Sequence, residues 1–307
     1  IMLSAADKFK LVAVVDPKQS RRENIMRKHN IPGNMCFSHW DGLFSLGKIA
    51  DVAIICTQDQ MHYEPAMMAI DKKYDLLLEK PIAPTAQECC KIAENAKKNG
   101  VKVLVGHVLR YTDFYKQIKS FIMDGKLGDV VNVIHIEGVG LTNMSHSFVR
   151  GNWRREDESA PMILAKCCHD TDLLLWLIKE PCTKVQSVGM LSYFTEKNAP
   201  KGATKRCLDG CPLKDTCYYY APSLYRIDTA EVQHFRGIVA NKFNPTDEEI
   251  DEELKTSKWG RCVYYCDNDV VDRQIVTMQF GEDKIATLTM SGFNKGGRVT
   301  TIMGTKG

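Results

Sequence analysis

The chain has 307 residues, 44% of them hydrophobic and 26% charged, with a formal net charge of +3. That length suffices for two domains with substantial cores. The small charge, with no basic stripe carrying interleaved aromatics, argues against a nucleic-acid partner. No apolar run approaches the roughly eighteen residues of a membrane helix and no signal peptide is visible, so the expectation is a cytoplasmic enzyme with no membrane partner.

Residues 9–16, Phe-Lys-Leu-Val-Ala-Val-Val-Asp, read as a strand ending in an acid. In a dinucleotide-binding sheet an acid at that place, Asp16, holds the adenosine ribose hydroxyls and repels a 2′-phosphate, which favours NAD over NADP. Arg21 is near enough in sequence to complicate that preference. The G-x-G-x-x-G phosphate turn of such a fold belongs about 20 residues earlier. Only the tail 1–8 precedes this strand, and it has no glycine. The last residues read as a turn between two sheet strands. The expectation is an internal piece of a longer protein, lacking its pyrophosphate cradle.

The run Asp51-Val52-Ala53-Ile54-Ile55-Cys56 has the continuous apolar character of a buried parallel strand. It ends in Thr57-Gln58-Asp59-Gln60-Met61-His62, and a helical stretch through Ala66, Met67 and Ile70 follows. Strand 75–78 then exits into Glu79-Lys80-Pro81, helix 86–99 stops at Gly100, and 101–105 is the next strand. Alternating strand and helix predict βαβ units and a parallel sheet. Lys80 therefore sits at the carboxyl edge of that sheet, where open α/β sheets bind ligands. Pro81 fixes the backbone beyond it. A partly desolvated lysine can give and take protons near neutral pH. A solvated Glu-Lys pair at a strand end is the plainer alternative.

Past the strand come Gly106-His107-Val108-Leu109-Arg110-Tyr111, a helix over 112–123 and a strand over 130–137 that opens a second sheet. Trp153-Arg154 follows, and then Met162-Ile163-Leu164-Ala165-Lys166-Cys167-Cys168-His169-Asp170-Thr171-Asp172. The stretch 53–111, these two motifs and the closing Arg298 with Gly304-Thr305-Lys306-Gly307 together resemble the Gfo/Idh/MocA oxidoreductases, nicotinamide-dependent dehydrogenases of sugars, inositols and related polyols.

The resemblance implies an α/β protein: a Rossmann domain over 1–106, incomplete at its start, and an α+β domain over 107–307 with a large, mainly antiparallel sheet. It implies hydride transfer between a sugar, inositol or polyol and NAD or NADP, and a homo-oligomer built on that sheet. Oxidising an alcohol needs a base for the hydroxyl proton while hydride leaves carbon. Lys80 is the first candidate and His169 the second. Asp16, Arg21, Thr57, His62, Glu79, Lys80, Arg110, Trp153 and Arg154 are the expected cofactor contacts, and Lys80, Lys166 and His169 the expected substrate contacts. The family motif places an acid four residues before the histidine, where this chain has Ala165. Asp172, on the same helical face as His169, is expected to orient the imidazole instead. A histidine packed against Leu173, Leu174 and Leu177 is the bland alternative. Two further readings stand beside the dehydrogenase: a glycoside hydrolase using NAD by transient oxidation, and a non-catalytic nucleotide- or sugar-binding protein.

Among the twelve cysteines, Cys207, Cys211 and Cys217 cluster around Gly210 and Pro212 in an apparent insert near 195–265, with Cys262 and Cys266 beyond. An insert too small to bury much apolar surface is where a structural zinc serves. Free thiols or a redox pair are the alternative. Thr246-Asp247-Glu248-Glu249 has the pattern of a capping box, predicting a surface helix over 247–255.

Overall fold

The computed structural model describes residues 7–307, and the first six residues of the expected tail lie outside the described residues. The chain divides into two compact units, Ile1–Gly106 and His107–Gly307. In the first, β1 (Val14–Val15), α1 (Gln19–His29), β2 (Cys36–Phe37), α2 (Trp40–Phe44), β3 (Val52–Ile55), α3 (Tyr63–Asp71), β4 (Asp75–Leu78), α4 (Ala86–Asn99) and β5 (Val103–Val105) alternate. β3, β4 and β5 form a parallel sheet in that order, and β1 pairs in parallel with β2 alone. The expected strand over 9–16 is reduced to Val14–Val15, because only those two residues find a ladder partner, Cys36 and Phe37.

The sheet is covered by the apolar stripe of α3, where Ala66, Ala69 and Ile70 meet Leu76 and Leu78 in one buried cluster with Ile92 of α4. Thr85 caps α4 by accepting the Glu88 N–H at 3.2 Å. Gly100 closes the helix at φ 67°, a conformation a side chain would strain.

The second unit contains α5 (Asp113–Met123), β6 (Val130–Gly138), α6 (Leu141–Asn143), a π-helical segment Met144–Arg150, α7 (Met162–Ala165), α8 (Cys168–Ile178) and β7 (Cys182–Met190). These are followed by α9 (Ala221–Leu224), α10 (Ala230–Val239), α11 (Asp247–Thr256), β8 (Arg273–Phe280), β9 (Lys284–Ser291) and β10 (Gly297–Gly304). The sheet runs β10-β6-β9-β8-β7, antiparallel except for β6 beside β9. The parallel sheet and this mixed, mostly antiparallel one together give the expected α/β architecture. Among the described residues no helix is long and apolar enough to cross a membrane.

The faces of this sheet are inverted relative to a simple amphipathic pattern. Register places Val299, Ile136, Thr289, Ile275 and Val188 in one row across five strands, and the four aliphatic members are exposed. On the opposite face of β6 lie Val133, His135 and Glu137, all buried. The covered side of this strand thus carries an imidazole and a carboxylate.

The insert near 195–265 has a core of its own. Ala221, Leu224, Tyr225, Phe235, Ile250, Leu254 and Trp259 are buried together, and α11 carries the expected capping box between Thr246 and Glu249. Beside this core the His146 ring stacks between Phe235, at 3.9 Å, and Trp259, at 4.3 Å, with Nδ1 2.8 Å from the Tyr225 hydroxyl. Burial, then the nearby Arg150, pushes its pKa down to about 3. The folded protein therefore refuses a proton that the unfolded chain takes near 6.5. Stability should fall as pH drops through that window, by up to about 1.4 kcal/mol per pH unit from this group. Urea midpoints measured from about pH 6.5 down to pH 4 should fall less steeply in His146→Gln than in the wild type. Parallel slopes would remove His146 from the account.

Candidate active site

The carboxyl ends of the parallel strands gather the chemistry of the first unit. Asp16 follows β1, donating its N–H to Phe37 O at 3.1 Å. Its carboxylate accepts the Lys18 N–H at 2.8 Å and pairs with Arg21 at 3.9 Å. After β3, the Thr57 hydroxyl donates to Met61 O at 2.9 Å and closes the turn. After β4, the chain passes through Glu79 and Lys80, with Lys80-Pro81 cis.

His62 departs from expectation. It is buried, with Nδ1 2.6 Å from Pro81 O and Nε2 3.1 Å from Thr57 O. Both ring nitrogens lie on backbone carbonyls, so the imidazole ties the lysine-bearing turn to the turn after β3. Glu79 is held close as well. A Cβ at residue 106 would fall 3.0 Å from its Oε2, so the side chain rests in space that only glycine leaves open.

In the second unit the helical face expected to run from Ala165 through His169 to Asp172 is interrupted. α7 ends at Ala165 and α8 begins at Cys168. The turn between them lets Lys166 reach Glu137 at 3.2 Å. Asp172 does not orient His169. Arg110 takes its carboxylate in a two-pronged contact, Nε to Oδ2 at 2.6 Å and Nη2 to Oδ1 at 2.5 Å. That fork geometry is stronger than a single imidazole bond, and it also engages the guanidinium expected at a cofactor. His169 instead meets His107 edge to face, ring centroids 5.7 Å apart.

Arg154 is likewise engaged elsewhere. It binds Asp267 through Nε at 2.9 Å and Nη2 at 3.0 Å, and Glu158 through Nη1 and Nη2 at 2.5 and 2.7 Å. These bonds, those from Asp267 foremost, raise its pKa further. Trp153 packs against the core of the sheet. Both residues read as structural in this arrangement.

The expected zinc site fails on geometry. Among the described residues no three His, Cys, Asp or Glu side chains are grouped as a metal requires. Cys207 accepts the Ala221 N–H at 3.4 Å, and the Cys266 thiol donates to Cys262 O at 3.3 Å. The insert orders itself by its apolar core, so it lacks the deficit a metal would fill.

Four residues that the sequence did not single out as site residues form the centre of this unit. Asp170 is fully buried, with His135 Nε2 at 2.9 Å and Arg298 Nε at 2.6 Å. Arg298 Nε also lies 2.8 Å from Glu137, whose other oxygen pairs with Lys166. His135 Nδ1 is 2.8 Å from the Thr300 hydroxyl, itself 3.3 Å from that of Tyr115. Burial works to raise the Asp170 pKa, but the bonds from His135 and Arg298 outweigh it and hold it low. At Glu137 burial prevails over Lys166 and Arg298 and raises it. The Lys166 end meets an opening of about 480 Å³ whose lining includes Thr142, Glu231, Asn294 and Arg298. The sequence signals were Asp170 and Arg298 within the quoted motifs, and His135 and Glu137 two residues apart in the expected strand.

An acid at the end of a parallel strand is where dinucleotide-binding α/β folds hold the ribose. Residues 2–107 match the model of the GFO/IDH/MocA oxidoreductase family with its NAD-binding Rossmann fold, and residues 115–307 match the model of the GFO/IDH/MocA C-terminal domain; the chain belongs to this family. It is 27% identical over 183 residues to the 2,7-anhydro-N-acetylneuraminate hydratase of Escherichia coli, covering 60% of this chain and 46% of that protein. It is 25% identical over 171 residues to the inositol 2-dehydrogenase of Salmonella typhimurium, covering 55% of this chain and 47% of that protein. The matched segments thus span less than half of these relatives. Among solved structures, the scyllo-inositol dehydrogenase of Lactobacillus casei, with bound NAD(H) and scyllo-inositol, shares the fold at a TM-score of 0.64 and 16% identity, covering 97% of this chain and 67% of that one.

Proposed function

We propose that this chain belongs to a dehydrogenase that moves hydride between a sugar, inositol or related polyol and NAD. The observation that carries the reading is the lysine turn: Lys80 leaves the buried strand β4 on a backbone anchored by His62 at Pro81 O. Lys80 receives the hydroxyl proton of the substrate, and His169 is the second proton-handling group. Asp16, at the end of β1, fits the ribose of NAD better than a 2′-phosphate, although Arg21 beside it softens that preference. The residues present at the end of β1 fit the adenosine ribose of the cofactor. Bound NAD supplies the hydride acceptor. Lys166 and the opening around it are the proposed seat of the substrate hydroxyls. The exposed aliphatic row of the sheet is proposed to pair with a second copy.

A second reading, in which NAD is reduced and reoxidised within each cycle, is favoured by the similarity to a hydratase. Purified protein given NAD and a panel of inositols and aldoses should accumulate NADH with at least one of them. Product formation that requires NAD without NADH accumulation would select the second reading. Binding of neither NAD nor any polyol would reject both.

A further inference from the structure

A buried cation in the second unit forms no ion pair with a carboxylate among the described residues. Arg150, at the end of the π-helical segment, is completely buried. Its Nε donates to Arg261 O at 2.7 Å, and Nη2 donates to Tyr219 O at 2.7 Å and approaches Cys207 Sγ at 3.9 Å. Nη1 has no hydrogen-bond partner among the described residues. Burial disfavours its charge, but the Cys207 thiol, then the Tyr225 hydroxyl and the Cys266 and Cys262 thiols, outweigh it and raise its pKa. A buried guanidinium left with an unmade hydrogen bond is costly.

Arg150 lines a cavity of about 180 Å³ whose walls are largely aromatic and thiol, including Tyr193, Tyr219, Tyr264, Cys217 and Cys262. Roughly 150 Å³ is enough to hold a benzene ring. Besides Arg150, the lining contains no Asp, Glu, Lys or His side chain. Burial pushes the Cys262 thiol up to about 11 and raises those of Cys217 and Cys266. Tyr219 and Tyr264 are also raised by burial, then by Tyr193, and keep their protons. We propose that this cavity binds a small carboxylic acid with an apolar body of about one ring, its carboxylate on Arg150 and its body among the tyrosines. A carboxylate offers Nη1 its missing acceptor and neutralises the guanidinium. The apolar remainder exchanges water for aromatic wall.

Benzoate is the probe, and benzamide, nearly the same shape without the charge, is its control. The half-buried Cys211 and Cys217 line the same cavity and report occupancy without any mutation. Millimolar benzoate should slow their alkylation by iodoacetamide and raise the thermal midpoint, with benzamide roughly 10–100-fold weaker, the worth of a charged hydrogen bond. Arg150→Met, where it folds, should bind the two probes equally. Absence of both protection and midpoint shift would overturn the proposal. So would equal binding of benzoate and benzamide to the wild type, which would make the cavity merely apolar.

Discussion

Lys80→Met should leave the fold and NAD binding intact and lower turnover by about 10²–10⁴, the range of a positioned acid or base. The turn around the lysine is over-determined. Leu76 and Leu78 are buried on β4, the Glu79 N–H donates to Ile55 O at 2.9 Å, and His62 holds Pro81 O. None of these bonds uses the lysine side chain, so methionine keeps the stem's packing and removes only the ammonium. The loss should fall on kcat rather than on the affinity for NAD. Turnover near that of the wild type would move the proton to another group, and His169→Asn would then be the next variant to assay.

Asp170→Asn should cost the second unit about 3–5 kcal/mol of stability. The amide preserves the outline of the side chain but removes a fully buried negative charge held by His135 and Arg298. Arg298 and Lys166 would then share the single carboxylate of Glu137. The sign of the pH dependence follows from the lowered Asp170 pKa. Its stabilisation is complete above the unfolded value, about 3.9, and is lost as pH falls through the folded one. The variant should therefore be weaker at neutral pH and lose less on acidification below about pH 4. Denaturant unfolding at neutral and acid pH checks both limbs, and an asparagine variant as stable as the wild type would reduce the network to a set of neutral contacts.

Local signals carried the first unit. The apolar run of β4 and the glycine that stops α4 at Gly100 are each written within a few residues, and the elements they mark are present. Signals that needed a distant partner did not survive. The strand expected over 9–16 shrank to what β2 could pair. Arg110 and Asp172 are 62 residues apart, Arg154 and Asp267 113, and spacing along the chain says nothing about such pairs. In β6 the strand itself was expected, but which of its faces is covered depends on partners far along the chain: Ile134 and Ile136 are exposed while His135 and Glu137 are buried. Cysteine density suggested a metal because it was read without the apolar core that orders the same segment.

The chain of contacts from Tyr115 through Thr300, His135, Asp170, Arg298 and Glu137 to Lys166 has a consequence for traffic through the site. Hydroxyl, imidazole and carboxylate can each hand a proton onward, but a guanidinium does not release one under any condition the protein survives. Arg298 is therefore a stop in the line. A charge altered at one end is felt at the other, while a proton is not delivered there. Whatever Lys166 gives or takes is exchanged through the opening it borders, and the Tyr115 side of the relay stays isolated from that exchange.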